Sequence, residues 1–378
     1  MMPRRKPAAR GRVGRLGPSL AVFFVAIAAS LVPSRGPVAQ EDIRCLTCHG
    51  KPGFRKVLPS GKVLELFVDP KMLRLSVHRD KHCVDCHTDV SEVPHQSTPL
   101  QVNCRSCHYL GNMAGAPQLD KYVEFEESVH GKALLAGNKK APACQDCHGD
   151  HFILPGSDPR SNVNRKRIPQ VCGACHLQIF SQFEGSIHGR AVANGNPDAP
   201  VCTDCHGEHS IKKPTDKNSS VNPGHIANTC AKCHAKIVIM EKYGVNAEQV
   251  STYEESFHGI ANEFGVLKAA NCASCHTAHD ILPPSDPRSS VNPANIPKTC
   301  GKCHPGANAN FAKGRIHINP KDKSAGLVYW VALGFKILTL STLAGLFIHI
   351  GLDLFRRVRN GKKARRKRDS APESGDRP

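Results

Sequence analysis

All eighteen cysteines of this 378-residue chain fall into nine Cys-x-x-Cys-His motifs, with none left over. The motifs are Cys45-Cys48-His49, Cys83-Cys86-His87, Cys104-Cys107-His108, Cys144-Cys147-His148 and Cys172-Cys175-His176, then Cys202-Cys205-His206, Cys230-Cys233-His234, Cys272-Cys275-His276 and Cys300-Cys303-His304. With about 35 residues for each motif, the chain has too little apolar material between motifs to build an ordinary core, so bound groups must fill the interior. Zinc ribbons, redox Cys-x-x-Cys pairs and structural disulfides all leave unexplained the histidine that follows every second cysteine. An odd number of pairs also cannot be shared two to a zinc ion. Covalent haem explains both facts: two thiols bond the porphyrin vinyl groups, and the adjacent imidazole is held under the iron as proximal ligand. The expectation is nine c-type haems with His49, His87, His108, His148, His176, His206, His234, His276 and His304 on the proximal side.

An internal repeat separates further iron ligands from incidental histidines. The unit opens on Ser-x-His-Gly, at 128–131, 186–189 and 256–259; its histidine precedes one motif by 14 residues, and the next motif begins 28 residues later. Each copy also carries a histidine three residues beyond its first proximal one. The repeat thus offers six distal candidates: His130, His151, His188, His209, His258 and His279. The histidine three residues on lies on the wrong side to reach its own haem and is expected to serve a neighbour. The Ser-x-His-Gly histidine then serves the other haem, with Gly131, Gly189 and Gly259 expected to leave room for a porphyrin. His78 and His95 resemble a compressed copy of the pair around the haems of Cys83 and Cys104, with His82 an alternative to His78 four residues away. His317 reads as the first ligand of a fourth unit. These nine complete the count, leaving His82, His225 and His349, so that every iron can be bis-histidine and low in potential.

Residues 1–39 carry seven basic and no acidic side chains around an apolar stretch at 20–32, the pattern of a signal peptide or of an uncleaved anchor. A second apolar stretch, 327–352, is long enough to span a bilayer, with Tyr329 and Trp330 at its start as interfacial anchors. Nine basic residues follow between Arg356 and Arg368, which the positive-inside rule assigns to the cytoplasm. The expected divisions are a leader at 1–39, a three-haem region at 40–112, a six-haem region of three repeats at 113–324, a transmembrane helix at 325–355 and a basic tail at 356–378. The net charge of +19 is no nucleic-acid footprint: leader and tail supply +7 each, leaving +5 for the body, which haem propionates would offset. The tail suits anionic lipid headgroups. His349, inside the apolar stretch, is a candidate ligand of a b-type haem or a contact to a quinone pocket supplied by a partner. Lys336 and Asp353 lie toward opposite ends and are expected to snorkel.

The expected fold is short helices and irregular loops wrapped around haems, with little or no sheet and one C-terminal transmembrane helix. Helices are expected at the motifs and at LQIFSQFEG and AKIVIMEKYG, separated by links such as LPGSDPRSNVN and LPPSDPRSSVNP that have no regular period.

Over 45–317 the paired motifs with interleaved histidines resemble the multihaem cytochrome c families of anaerobic, metal- and sulfur-respiring bacteria. The segments HINPKDKSAGLVYWV and AGLFIHIGLDLFRRVR resemble the junction at which such periplasmic cytochromes meet a membrane cytochrome b module in quinol-oxidising complexes. The resemblance implies an electron-transfer subunit of the bacterial inner membrane, with its haem domain in the periplasm and its tail in the cytoplasm. Its partners would be a membrane cytochrome b or quinol dehydrogenase subunit, which supplies any further b-type helices, and periplasmic or outer-membrane cytochromes. The competing reading is a terminal reductase of a small oxyanion, nitrite or a sulfur compound, which needs an iron with an open position. None of the nine motifs departs from the pattern and no distal ligand is missing, which favours the conduit without intrinsic catalysis.

Overall fold

The computed structural model describes residues 40–370 apart from 59–60, 62, 96, 118–119 and 315, so the expected leader and residues 371–378 lie outside the described residues. Short helices and turns dominate, and the sheet among the described residues is one antiparallel hairpin, Arg55–Val57 with Val63–Glu65. The apolar side chains buried in this part of the chain are few and mostly small, among them Ala143, Ala199, Val201 and Ala227. Such a core cannot offset the entropy of ordering a chain of this length.

Local hydrogen bonding explains why the motifs sit in short helices. Cys144–His148, Cys202–His206 and Cys83–Cys86 each end their first turn on an aspartate whose carboxylate accepts the backbone N–H just before the first cysteine: Asp146 from Ala143 at 2.7 Å, Asp204 from Val201 at 2.6 Å, Asp85 from His82 at 2.8 Å. In Cys272–His276, Ser274 and Asn271 exchange equivalent bonds. These caps satisfy N–H groups that a one-turn helix otherwise leaves open.

The repeat is a docking unit. Ser128, Ser186 and Ser256 cap the helices Val129–Leu135, Ile187–Ala193 and Phe257–Glu263, each accepting the N–H of the glycine three residues on at 3.0, 3.0 and 3.2 Å. The residue after the serine then bonds the following unit: Val129 N–H to the Ile211 carbonyl and Ile187 N–H to the Ile281 carbonyl, both at 2.8 Å. Ser76-Val77-His78 makes the same contact, Val77 to Ile153 at 2.8 Å, which ties 40–112 to the first repeat. The glycines do not serve the expected purpose. A Cβ on Gly131, Gly189 or Gly259 would collide with the carbonyl of Phe125, Phe183 or Tyr253 in the preceding helix, so each glycine permits a tight helix-to-helix corner rather than a porphyrin approach.

The links between motifs are ordered runs of turns. Asp158 bonds Pro155, Ser161 bonds Asp158, Asn164 bonds Ser161 and Arg167 bonds Asn164, all through backbone at 2.7 to 3.0 Å. Buried Ser161 closes back on the Leu154 carbonyl at 3.0 Å. After His176 the helix Leu177–Gly185 forms as expected; after His234 a shorter helix, Ile237–Met240, runs into a 3₁₀ turn at Glu241–Tyr243.

The last helix, Leu327–Asp369, is a single element of 43 residues, about 64 Å long at 1.5 Å per residue. Its most apolar stretch has a mean hydropathy of 1.9 and no part buried, the composition of a membrane anchor. The basic segment expected as a separate tail from 356 continues the same helix to Asp369. Asp353 pairs with Arg357 at 2.8 Å, one turn on.

Candidate functional site

The eighteen histidines singled out by the sequence come together as nine facing pairs. Ring centres lie 6.1 Å apart for His49 and His95, 5.9 Å for His78 and His108, 6.1 Å for His87 and His151, and 6.1 Å for His130 and His176. The series continues at 5.9 Å for His148 and His209, 6.1 Å for His188 and His234, 6.0 Å for His206 and His279, 6.1 Å for His258 and His304, and 6.3 Å for His276 and His317. Two imidazoles bound end-on to one metal ion, each nitrogen about 2 Å from it, place their ring centres about 6 Å apart. The spacing is too long for direct stacking and fits one iron between each pair.

The pairings differ in part from those the spacing suggests. Each Ser-x-His-Gly histidine faces the second motif of its own unit, whereas His151, His209 and His279 each face the first-motif histidine of the preceding segment. His95 does not join the Cys83 or Cys104 motif; the loop bearing it folds back to His49. His317 is not the start of a fourth unit but fills for His276 the place that His279 fills for His206. The three histidines outside the count sit elsewhere: His82 Nδ1 is 3.1 Å from the Asp42 carboxylate, His225 Nδ1 is 2.9 Å from the Ser219 carbonyl, and His349 is exposed on the long helix.

Successive motifs are neighbours in space. First cysteines stand side by side in the sets Cys45 with Cys83, Cys104 with Cys144, Cys172 with Cys202 and Cys230 with Cys272. In the same sets the histidines interact electrostatically: His49 with His87, His108 with His148, His176 with His206, His234 with His276. The intervening steps are bridged by Cys86 and Cys107, Cys147 and Cys172, Cys205 and Cys233, and Cys275 and Cys300. The nine sites therefore stand in single file in chain order.

At several of these rings the surroundings favour the neutral form that a ligand needs. Burial first, and the facing imidazole second, lower the pKa of His130, His148, His206 and His276, and push His188 down to about 4. Outer contacts that the sequence does not reveal orient several rings. His49 Nδ1 lies 2.8 Å from the Leu66 carbonyl at the end of the hairpin, with Phe54 edge-on at 5.2 Å. His95 Nδ1 lies 2.8 Å from the Ser97 carbonyl. His317 Nδ1 lies 3.1 Å from the Thr252 hydroxyl, which itself donates to the Glu248 carbonyl at 2.9 Å. Next to His258, a cavity of about 390 Å³ is lined on one side by Phe257, Ile316, Ile318 and Pro320 and on the other by Thr252, Glu255 and Ser256.

A protein of Nitratidesulfovibrio vulgaris described as a high-molecular-weight cytochrome c is 27% identical to this chain over 157 residues, which is 41% of the chain and 22% of that protein. The likeness thus spans about a fifth of the relative's length. No family model and no solved structure matches the chain. Together with Cys-x-x-Cys pairs such as Cys45/Cys48 and Cys83/Cys86, the likeness supports a multihaem cytochrome c with an electron-transfer role.

Proposed function

We propose that the chain is a nine-haem conduit of the periplasm, anchored by its C-terminal helix, that carries electrons between a quinol-oxidising membrane partner of the cytochrome b type and periplasmic or outer-membrane acceptors in anaerobic respiration. The observation that carries the reading is the set of nine histidine pairs at 5.9 to 6.3 Å. Haem bound there supplies a ferric–ferrous couple for one-electron exchange. The chain's own work is positional: eighteen cysteines would hold the porphyrins, eighteen imidazoles would ligate the irons, and docking through Val77, Val129 and Ile187 onto the following unit holds neighbours close. Filled axial sites favour transfer over substrate binding at iron, which weighs against a reductase of nitrite or a sulfur compound.

The membrane end of the file carries the donor. His317 and the residues after it lie against 248–258, through Asn319 to Glu248 at 3.0 Å and Lys321 to Glu255 at 3.4 Å, so the eighth and ninth sites adjoin the segment that enters the long helix. In that helix His349 serves a b-type haem or a quinone pocket shared with the partner, and the basic turns from 356 onward meet anionic headgroups on the cytoplasmic side. The test is to mix the fully reduced protein with nitrite or sulfite and with carbon monoxide. A conduit turns over neither nitrite nor sulfite and takes up carbon monoxide only as slowly as an axial histidine leaves its iron; one iron that binds a ligand at once and then turns over makes the chain a reductase.

A further inference from the structure

The first two sites differ in how their imidazoles are held. When Nε2 binds iron, the ring proton sits on Nδ1, and an acceptor for that proton makes the imidazole a stronger donor to the metal. At the first site both rings have such an acceptor, His49 on the Leu66 carbonyl and His95 on the Ser97 carbonyl, each at 2.8 Å. The hairpin fixes the first of these carbonyls: Leu66 N–H bonds Phe54 at 2.9 Å, and Val68 N–H returns to the His49 carbonyl at 2.7 Å. At the second site, His87 Nδ1 is buried and has no hydrogen-bond partner. Opposite it, His151 Nδ1 stands 3.7 Å from the Asp150 carboxylate, beyond hydrogen-bond reach.

We infer that these contacts split the first haem pair: His49 and His95 hold the haem of Cys45 and Cys48 at a lower reduction potential than His87 and His151 hold the haem of Cys83 and Cys86. The inference rests on the axial ligation proposed above. A more basic ligand pair favours the ferric state, and the buried, unpartnered Nδ1 of His87 withholds that stabilisation from the second site. Other charges do not reverse the order. Asp42, beside the second site, accepts from Cys83 N–H at 2.9 Å and stands 3.1 Å from His82 Nδ1, contacts that offset its charge there. Asp89 and Asp150, on the side of the second site, are exposed and screened by solvent. A single electron on the pair therefore rests on the second haem: the first iron is oxidised as the second is reduced, and no proton moves. His49, His95 and His87 act here as tuning residues.

The test uses the full haem-loaded chain and two variants that leave the attachment motifs intact, His95→Met and His151→Met. Near-infrared magnetic circular dichroism counts bis-histidine haems while a redox titration records their midpoints. Each variant is expected to lose one of nine bis-histidine components. The component lost in His95→Met is expected to titrate below the one lost in His151→Met by at least tenfold in the reduction equilibrium, which is about 59 mV for one electron. Equal or reversed midpoints overturn the inference and leave the ligation reading intact, whereas a bis-histidine signal undiminished in either variant overturns that reading and the inference together. Should the variants fail to mature, nuclear magnetic resonance of the fully reduced unaltered protein decides. Nδ1 protons of His49 and His95 are expected downfield of that of His87, and the opposite order refutes the proposal.

Discussion

Ser186 offers a direct handle on the link between backbone capping and an axial ligand. It is 1% exposed; its Oγ accepts the Gly189 N–H at 3.0 Å and donates to the Phe183 carbonyl at 2.6 Å, at the start of the helix whose second residue is His188. Ser186→Ala removes both bonds. Loss of the cap costs about 1 kcal/mol. Loss of the second bond adds about 1 kcal/mol, because the Phe183 carbonyl keeps the Ser186 N–H at 3.0 Å and is not left bare. Local opening of this turn, which carries His188 away from His234, then becomes about 30-fold more frequent. Carbon monoxide binding to the reduced protein reads this event, since carbon monoxide enters only while His188 is off the iron. One kinetic phase is expected to accelerate about 30-fold in Ser186→Ala and to stay near the original rate in Ser186→Thr, which keeps the hydroxyl. Unchanged kinetics in the alanine variant would refute the argument that the cap holds the ligand.

Other outcomes follow from single contacts. Thr277 has φ 66° and ψ 179°, where the equivalent Gly149 and Gly207 have φ 86° and 77°, so Thr277→Gly is expected to raise stability to denaturant by about 1 kcal/mol and Gly207→Ala to lower it. Thr252→Val removes the acceptor of His317 Nδ1 and is expected to raise the midpoint of one haem by about 40 mV in a redox titration, with no change in bis-histidine content. Side-chain hydrogen bonds from Arg160 and Arg288 hold the carboxyls of Asp158 and Asp286 down to about 2. Because their folded pKa is depressed, their contribution is complete above about pH 4 and is lost as the pH falls toward 2. Carbon-13 titration of the two carboxyls is expected to show midpoints near 2, and Arg160→Gln to return Asp158 toward the ordinary carboxylate range.

Which histidines come together was legible in the sequence: nine motifs supply nine imidazoles, and a repeat with constant spacing isolates most of the nine that face them. Which imidazole faces which was less legible. His78 and His95 lie near one another in sequence yet face His108 and His49, because the partner is set by how the chain between the motifs folds back within 40–112, which the spacing does not display. The Ser-x-His-Gly glycines were misread for a related reason. Sequence shows that a glycine is needed at Gly189 but not what crowds it, and the crowding group is the Phe183 carbonyl. Acceptors such as the Leu66 and Ser97 carbonyls are invisible in sequence, since every residue carries one. The long helix was read correctly as apolar, but its continuation through the basic segment follows from the high helix propensity of lysine and arginine, which the charge pattern alone does not display.

The central claim is that nine irons each have two histidine ligands. Near-infrared magnetic circular dichroism with electron paramagnetic resonance on the oxidised protein, quantified against iron, tests it most directly. The account predicts nine low-spin bis-histidine haems and no high-spin signal. It also predicts two resonance classes: one from the nearly parallel pairs of His49, His87, His148 and His206, whose ring planes differ by 7 to 26°, and one from the five pairs tilted by 38 to 70°. One high-spin haem per chain would contradict it and make the chain an enzyme candidate.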